Sequence, residues 1–142
     1  GGLLHSTDGK TWNPASPDVS FSRGDGSLAT LPQPTGPMLF MVRDGSVLRS
    51  TDAGRTWAAA AGAGNLALNG FVQAIAADPD RNTVYAATDR GLFFTNALGT
   101  QWIQLPFHGG AAAIGVQGDQ LAVVDSDGRF FLSRSGGATW QN

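Results

Sequence analysis

The stretch Ser50-Thr51-Asp52-Ala53-Gly54-Arg55-Thr56-Trp57 decides how the rest of the chain is read. It has the form S-x-D-x-G-x-T-W. A strand ending in a hydroxyl residue enters a tight turn, and the Asp52 carboxylate can accept backbone N–H groups inside it, as in an Asx-turn. Gly54 permits a backbone with φ > 0 that other residues resist. Trp57 then opens the next strand and offers a large apolar body to wedge against a neighbouring sheet. The pattern predicts a hairpin staple, with Ser50, Asp52, Gly54, Thr56 and Trp57 in structural roles rather than in contact with a ligand.

The same pattern recurs outward from this centre. Ser6-Thr7-Asp8-Gly9-Lys10-Thr11-Trp12 is the motif with one residue deleted, keeping Ser6, Asp8, Gly9 and Trp12. Ser133-Arg134-Ser135-Gly136-Gly137-Ala138-Thr139-Trp140 keeps Ser133, Gly137, Thr139 and Trp140 but lacks the Asp. The run 95–102 keeps little beyond Gly99 and Trp102. Tryptophans at 12, 57, 102 and 140 are spaced 45, 45 and 38 residues apart. A period of this size marks a repeat architecture, and ~40–50 residues suits a four-stranded propeller blade.

Between the motifs the chain reads as short strands and tight turns. Strands are predicted over 3–6, 12–15, 27–31, 38–42, 46–50, 71–77, 83–88, 92–95, 102–105, 111–116, 120–125 and 129–133. The segment 19–21 is a further strand fragment. The run 58–69 is read as the end of an outer strand plus a loop, since Gly62 and Gly64 cut against a helix there. Asp44-Gly45 between apolar runs is a strong hairpin signal. The 20 Gly and 7 Pro in 142 residues agree with an all-β fold of many turns.

Composition excludes several function classes. Net charge is −2 with 14% charged residues, so no basic face is available for nucleic acid. No apolar run is long enough to span a membrane as a helix. There is no Cys, hence no disulfide, thiol catalysis or thiolate metal site. All acidic residues are Asp, and Lys10 is the one lysine. The sequence begins Gly1-Gly2 and shows no signal-peptide pattern, which points to a processed chain or a piece of a longer one.

The motif is identified as an Asp-box, and the segment 75–93 (IAADPDRNTVYAATDRGLF) closely resembles a blade of the Asp-box, or BNR-repeat, propellers. That group includes sialidases, xyloglucan-degrading glycoside hydrolases, sortilin-type receptors and photosystem assembly factors. The resemblance covers nearly the whole chain. It implies an all-β propeller of antiparallel four-stranded blades: a half-blade over 1–15, then blades over 16–60, 71–105 and 111–142. With strands labelled A to D from the inside out, the boxes fall in the C–D turns, on the same end as the A–B turns. The B–C turns and D–A loops form the opposite face, where propellers usually bind. Arg43, Asp44, Asp89, Arg90, His108, Asp125 and Asp127 fall there. Shared folds host unrelated functions, so the resemblance carries the fold further than the activity.

Catalysis is not expected. A sialidase-like site needs a Tyr activated by Glu, and this chain has Tyr85 alone, in the middle of an apolar strand, and no Glu. Xyloglucanase-like members use two Asp, but Asp44, Asp89, Asp125 and Asp127 stand where turn chemistry demands Asp. Asp78-x-Asp80-x-Asn82 and Asp125-x-Asp127 lack the Gly and distal Glu of a calcium loop, and His5 and His108 are isolated, so no metal or cofactor is expected. A face of mixed sign suits a protein partner, or a polar glycan, better than a polyanion. The expected function is a non-catalytic binding or scaffolding module, outside the cytoplasm or secreted. The alternative is a non-catalytic portion of a BNR-type glycoside hydrolase. Three and a half blades do not close a ring. Two copies would each begin and end on a C–D pair, so the missing strands are expected from another segment or another chain, with apolar surface left bare until they dock.

Overall fold

The computed structural model describes residues 2–15, 26–60 and 68–142. The fragment expected at 19–21 and most of the run at 58–69 lie outside the described residues. Thirteen strands are described, all antiparallel: β1 (Leu4–His5), β2 (Asn13–Pro14), β3 (Leu28–Leu31), β4 (Met38–Arg43), β5 (Ser46–Ser50), β6 (Ala58–Ala59), β7 (Val72–Asp78), β8 (Thr83–Thr88), β9 (Gly91–Thr95), β10 (Ile103–Gln104), β11 (Ala111–Gln117), β12 (Gln120–Asp125) and β13 (Phe130–Ser133). Among the described residues the sole helical element is one 3₁₀ turn, Pro79–Arg81. Asp78 caps it by accepting from the Asp80 N–H, and Asn82 ends it in the left-handed region.

The strands form a hairpin (β1-β2), two four-stranded meanders (β3-β4-β5-β6 and β7-β8-β9-β10) and a three-stranded meander (β11-β12-β13). A bridge between Leu132 and Gln141 stands in the fourth position of the last sheet. The first strands of successive sheets lie side by side, β3 against β7 and β7 against β11. This is the arrangement of propeller blades, in agreement with the fold class expected from the sequence. The turns follow the residue chemistry: Asp44 (φ 49°) and Gly45 (φ 70°) both take the left-handed backbone that a two-residue hairpin loop of the mirror-image type requires.

Alternation along β8 explains how the third sheet is packed on both sides. Every residue of Thr83–Thr88 is buried. Val84, Ala86 and, from β9, Phe93 join a cluster with Leu31, Phe40, Val42 and Val47 of the second sheet. Ala87 and Leu92 point the other way, into a cluster with Phe107 of the following segment and Ala111 and Val123 of the fourth sheet. Successive side chains on a strand point to opposite faces, so a strand between two sheets must be apolar on both. Among the described residues, no sheet lies against the outward side of the fourth. There β11 is largely exposed, Phe130 is 57% exposed, and a shallow groove is lined by Gly115, Val116, Gln120, Ala122 and Leu132.

Candidate binding face

The two ends of the sheets are built differently. One carries the turn motifs, the other the loops that link one sheet to the next.

In the motif at 50–57, the Ser50 hydroxyl accepts from the Gly54 N–H (2.9 Å) and donates to Asp52 Oδ1 (2.8 Å). Asp52 Oδ1 also accepts from the Thr56 N–H (2.8 Å), and Oδ2 from the Thr56 hydroxyl (2.6 Å). These donors, the Thr56 hydroxyl first, hold the Asp52 carboxyl at about 2, below its ordinary 3.8. In the shortened motif Asp8 is held at about 2 as well, chiefly by the N–H groups of Thr11 and Lys10 and then by the Ser6 hydroxyl. The last motif makes the same turn without a carboxylate. Ser135 stands in place of the Asp, accepts from the Thr139 N–H (2.9 Å) and lies 2.9 Å from the Thr139 hydroxyl. Even 95–102 keeps the shape: Thr95 Oγ1 accepts from the N–H groups of Ala97 (3.2 Å) and Gly99 (3.1 Å).

The tryptophans differ more than their motifs do. Trp102 is 2% exposed, and its indole N–H donates to the Ala60 carbonyl of the preceding sheet (2.8 Å). Trp140 packs edge-on against Phe107 with ring centroids 5.0 Å apart. Its indole N–H is buried without a hydrogen-bond partner, and the Leu105 carbonyl accepts instead from the Phe107 N–H (2.8 Å). Trp57 is half-buried and donates to the Gly54 carbonyl of its own turn (3.0 Å). Trp12 is 58% exposed. The wedge expected for every motif is thus fully formed at Trp102, partly at Trp140 and Trp57, and absent at Trp12. Trp102 and Trp140 lean on the sheet before their own, and no described sheet precedes the first hairpin.

On the opposite end, the segment leading into β7 is held between two turns. The Val72 N–H donates to the Gly45 carbonyl (2.9 Å), the Asp89 N–H to the Phe71 carbonyl (3.1 Å), and the Phe71 N–H to Asp89 Oδ1 (2.7 Å). The Ser126 N–H donates to the Gly110 carbonyl (3.1 Å) in the same way. Asp125 is buried and accepts from the N–H groups of Asp127 (2.9 Å) and Arg129 (2.7 Å). Arg129 meets Asp127 at 3.0 Å, and Arg43 lies 3.6 Å from Asp44. Arg90 and His108 are exposed. The seven residues share an end of the sheets, and the ion pairs Arg43–Asp44 and Arg129–Asp127 each lie within one turn. Phe71, which the sequence reading did not single out, is 53% exposed, its ring lying over the Gly45 backbone. Its signal was position: a glycine and an aromatic directly before an inner strand.

Of the other residues weighed for chemistry, Tyr85 is buried in β8 beside Phe94, and burial pushes its hydroxyl above the ordinary value. Asp78 is buried at the 3₁₀ turn, 3.7 Å from Arg81, which also pairs with Asp119 at 2.7 Å. Asn82 accepts from Gln33 (2.6 Å). Among the described residues no three His, Cys, Asp or Glu side chains converge as metal ligands would, and no helix is long and apolar enough to cross a membrane.

No protein-family model matches the chain, and no curated protein sequence matches it. Solved structures do. The chain superposes on the Niastella koreensis GH74 enzyme with a TM-score of 0.67 at 20% identity, over 99% of its own length and 21% of that chain. It matches YCF48 bound to D1 peptide with a TM-score of 0.64 at 15% identity, over 94% of its length and 43% of that chain. An ancestral GH74 enzyme gives 0.61 at 20% identity, over 86% and 19%. At these identities the likeness establishes the β-propeller fold. The chain spans less than half the length of each of these proteins.

Proposed function

We propose that the chain is a non-catalytic binding or scaffolding portion of an Asp-box propeller, working extracytoplasmically as part of a larger ring, with a protein as its partner. One observation carries this reading. On the loop end, Asp89 and Asp125 are spent capping loops and turns, and Asp44 and Asp127 lie beside arginines. A glycosidase instead needs a carboxylate pair facing a substrate, one of the two poised to give up a proton. The partner is read from the mixed sign of that face and from the exposed Phe71 between the turns at Gly45 and Asp89, an apolar anchor beside polar groups. YCF48, of similar fold, was solved with a peptide bound, which supports a peptide or protein over a glycan.

The likeness to GH74 enzymes favours a second reading, a non-catalytic part of such a glycoside hydrolase with its acidic residues elsewhere. Activity assays separate either reading from an enzyme. Purified protein is expected to hydrolyse neither sialosides nor β-glucans above a buffer blank, whereas turnover abolished by Asp44→Asn or Asp125→Asn overturns the proposal. The larger ring is tested by light scattering on residues 1–142. Exposed Leu4, Trp12, Leu28 and Phe130 are expected to drive self-association. A stable, cooperatively melting monomer sinks that part of the reading.

A further inference from the structure

The junctions between sheets repeat one contact. Three residues after each of the first three motif tryptophans stands an aliphatic residue: Ala15 after Trp12, Ala60 after Trp57, Leu105 after Trp102. Its N–H closes the outer strand onto the one inside it, from Ala15 to the Leu3 carbonyl (2.8 Å), from Ala60 to Val47 (2.8 Å) and from Leu105 to Leu92 (2.9 Å). Its side chain then sits against the motif glycine of the next sheet. A methyl group placed on Gly54 would lie 3.7 Å from Ala15 Cβ; on Gly99, 3.0 Å from Ala60 Cβ; on Gly137, 2.9 Å from Leu105 Cδ1. The glycine is therefore a socket as well as a turn residue, and at Gly99 the seated Ala60 also gives its carbonyl to Trp102.

Gly9 is the same residue in the first motif. Its N–H donates to the Ser6 hydroxyl (2.8 Å), as Gly54, Gly99 and Gly137 donate to Ser50, Thr95 and Ser133. Its φ of 71° is close to theirs. Yet Trp12 is 58% exposed, and among the described residues nothing lies within 4 Å of a methyl group placed on Gly9 and the Trp12 indole N–H has no partner.

We infer that Gly9 and Trp12 form the docking socket for the outer strand of one further propeller blade. The strand would be seated by an aliphatic residue at its inner end, with a carbonyl offered to the Trp12 indole as Ala60 offers one to Trp102. The occupant is polypeptide outside these 142 residues. Ala15, Ala60 and Leu105 are each already seated against a glycine of their own chain, so among the described residues a second copy offers no free seat residue. The inference rests on the larger-ring reading and adds to it the place, the polarity and the chemistry of the contact.

The test is made in the natural protein purified from its source. Hydroxyl-radical labelling read residue by residue is expected to modify Trp12 as slowly as Trp102. Gly9→Asn keeps a residue that tolerates the left-handed backbone but fills the socket, so it is expected to lower Tm by at least about 3 °C. Gly118→Asn is the control, because Gly118 (φ 58°) also has open space around it and belongs to no junction. Trp12 labelled well ahead of Trp102, or Gly9→Asn as silent as Gly118→Asn, overturns the inference. If residues 1–142 still self-associate when that happens, the socket alone has failed. If they form a stable monomer, the larger ring has failed with it.

Discussion

The motifs at 50–57 and 95–102 make the same turn from different residues. The first has every consensus residue, and the second has Ala97 where the Asp should be and Gln101 where the Thr should be. Both nevertheless place two successive residues in the left-handed region, Ala53 and Gly54 at 59° and 87°, Leu98 and Gly99 at 53° and 82°. Both close the turn with a hydroxyl accepting from the glycine N–H. The poorer match has the better-buried tryptophan. The comparison teaches that the hydroxyl and the left-handed pair make the turn, that the carboxylate is an addition to it, and that the neighbouring sheet decides what the tryptophan contributes.

The largest expected effect lies in the two indoles. Trp102→Ala empties a fully buried site and strands the Ala60 carbonyl, so it is expected to cost about 3–5 kcal/mol. Trp57→Ala removes a half-buried ring whose one hydrogen bond is to its own turn, and about half that loss is expected. Denaturant melts of the two variants decide it. Equal losses would mean that consensus, not burial, sets the value of the motif.

Next come the hydroxyls. Thr95 is buried, and Thr95→Val leaves the N–H groups of Ala97 and Gly99 without an acceptor, at an expected cost of about 1–3 kcal/mol. Thr95→Ser restores the acceptor and is expected to melt near the parent. If valine and serine melt alike, the hydroxyl is not what closes the turn.

The carboxylate effect is smaller, because Asp52 is screened by solvent. Its folded value, about 2, lies below the ordinary 3.8. Its contribution is therefore complete above pH 3.8 and is lost as pH falls through about 2. Asp52→Ser copies the arrangement at Ser135. The stability difference between parent and variant is expected to be constant near neutral pH and to shrink between pH 4 and pH 2, where Asp8 remains to titrate in both. A difference that does not change with pH would show that the carboxylate charge is irrelevant to the turn.

The sequence made the strands legible because their signals are local. Asp44-Gly45 announces its hairpin, and an apolar run of strand length such as 83–88 announces a strand covered on both faces. The junctions were less legible because they join residues far apart in the chain. Nothing near Trp102 says that Ala60 will offer it a carbonyl, and nothing near Asp89 says that Phe71, eighteen residues earlier, will use its carboxylate. The turn at 95–102 looked degraded because the comparison was made with the consensus. The hydroxyl at Thr95, four residues before Gly99 as Ser50 is before Gly54, was the signal that mattered. The candidate face was placed by turn order alone, which puts residues on an end of the sheets without saying which side chains touch.

The smallest effect separates the two turns by sign. Ala53 and Leu98 occupy the same left-handed position, which costs a non-glycine residue about 1–2 kcal/mol. Replacing either by glycine removes that cost and adds about 0.4–1 kcal/mol through the freer unfolded chain. At Ala53, which is exposed, little else changes, so Ala53→Gly is expected to stabilise by about 0.5 kcal/mol. It would make the turn resemble the last motif, where Gly136 takes this position at 65°. Leu98 is partly buried against the cluster that holds Phe40 and Trp102. Leu98→Gly gives up that packing, about 1–2 kcal/mol for a half-buried leucine, and is expected to come out destabilising. Thermal melts of the pair give the answer. Opposite signs mean that relief of strain prevails at Ala53 and loss of packing at Leu98; a loss at Ala53 as well would mean that the left-handed position there carries less cost than the freer unfolded chain.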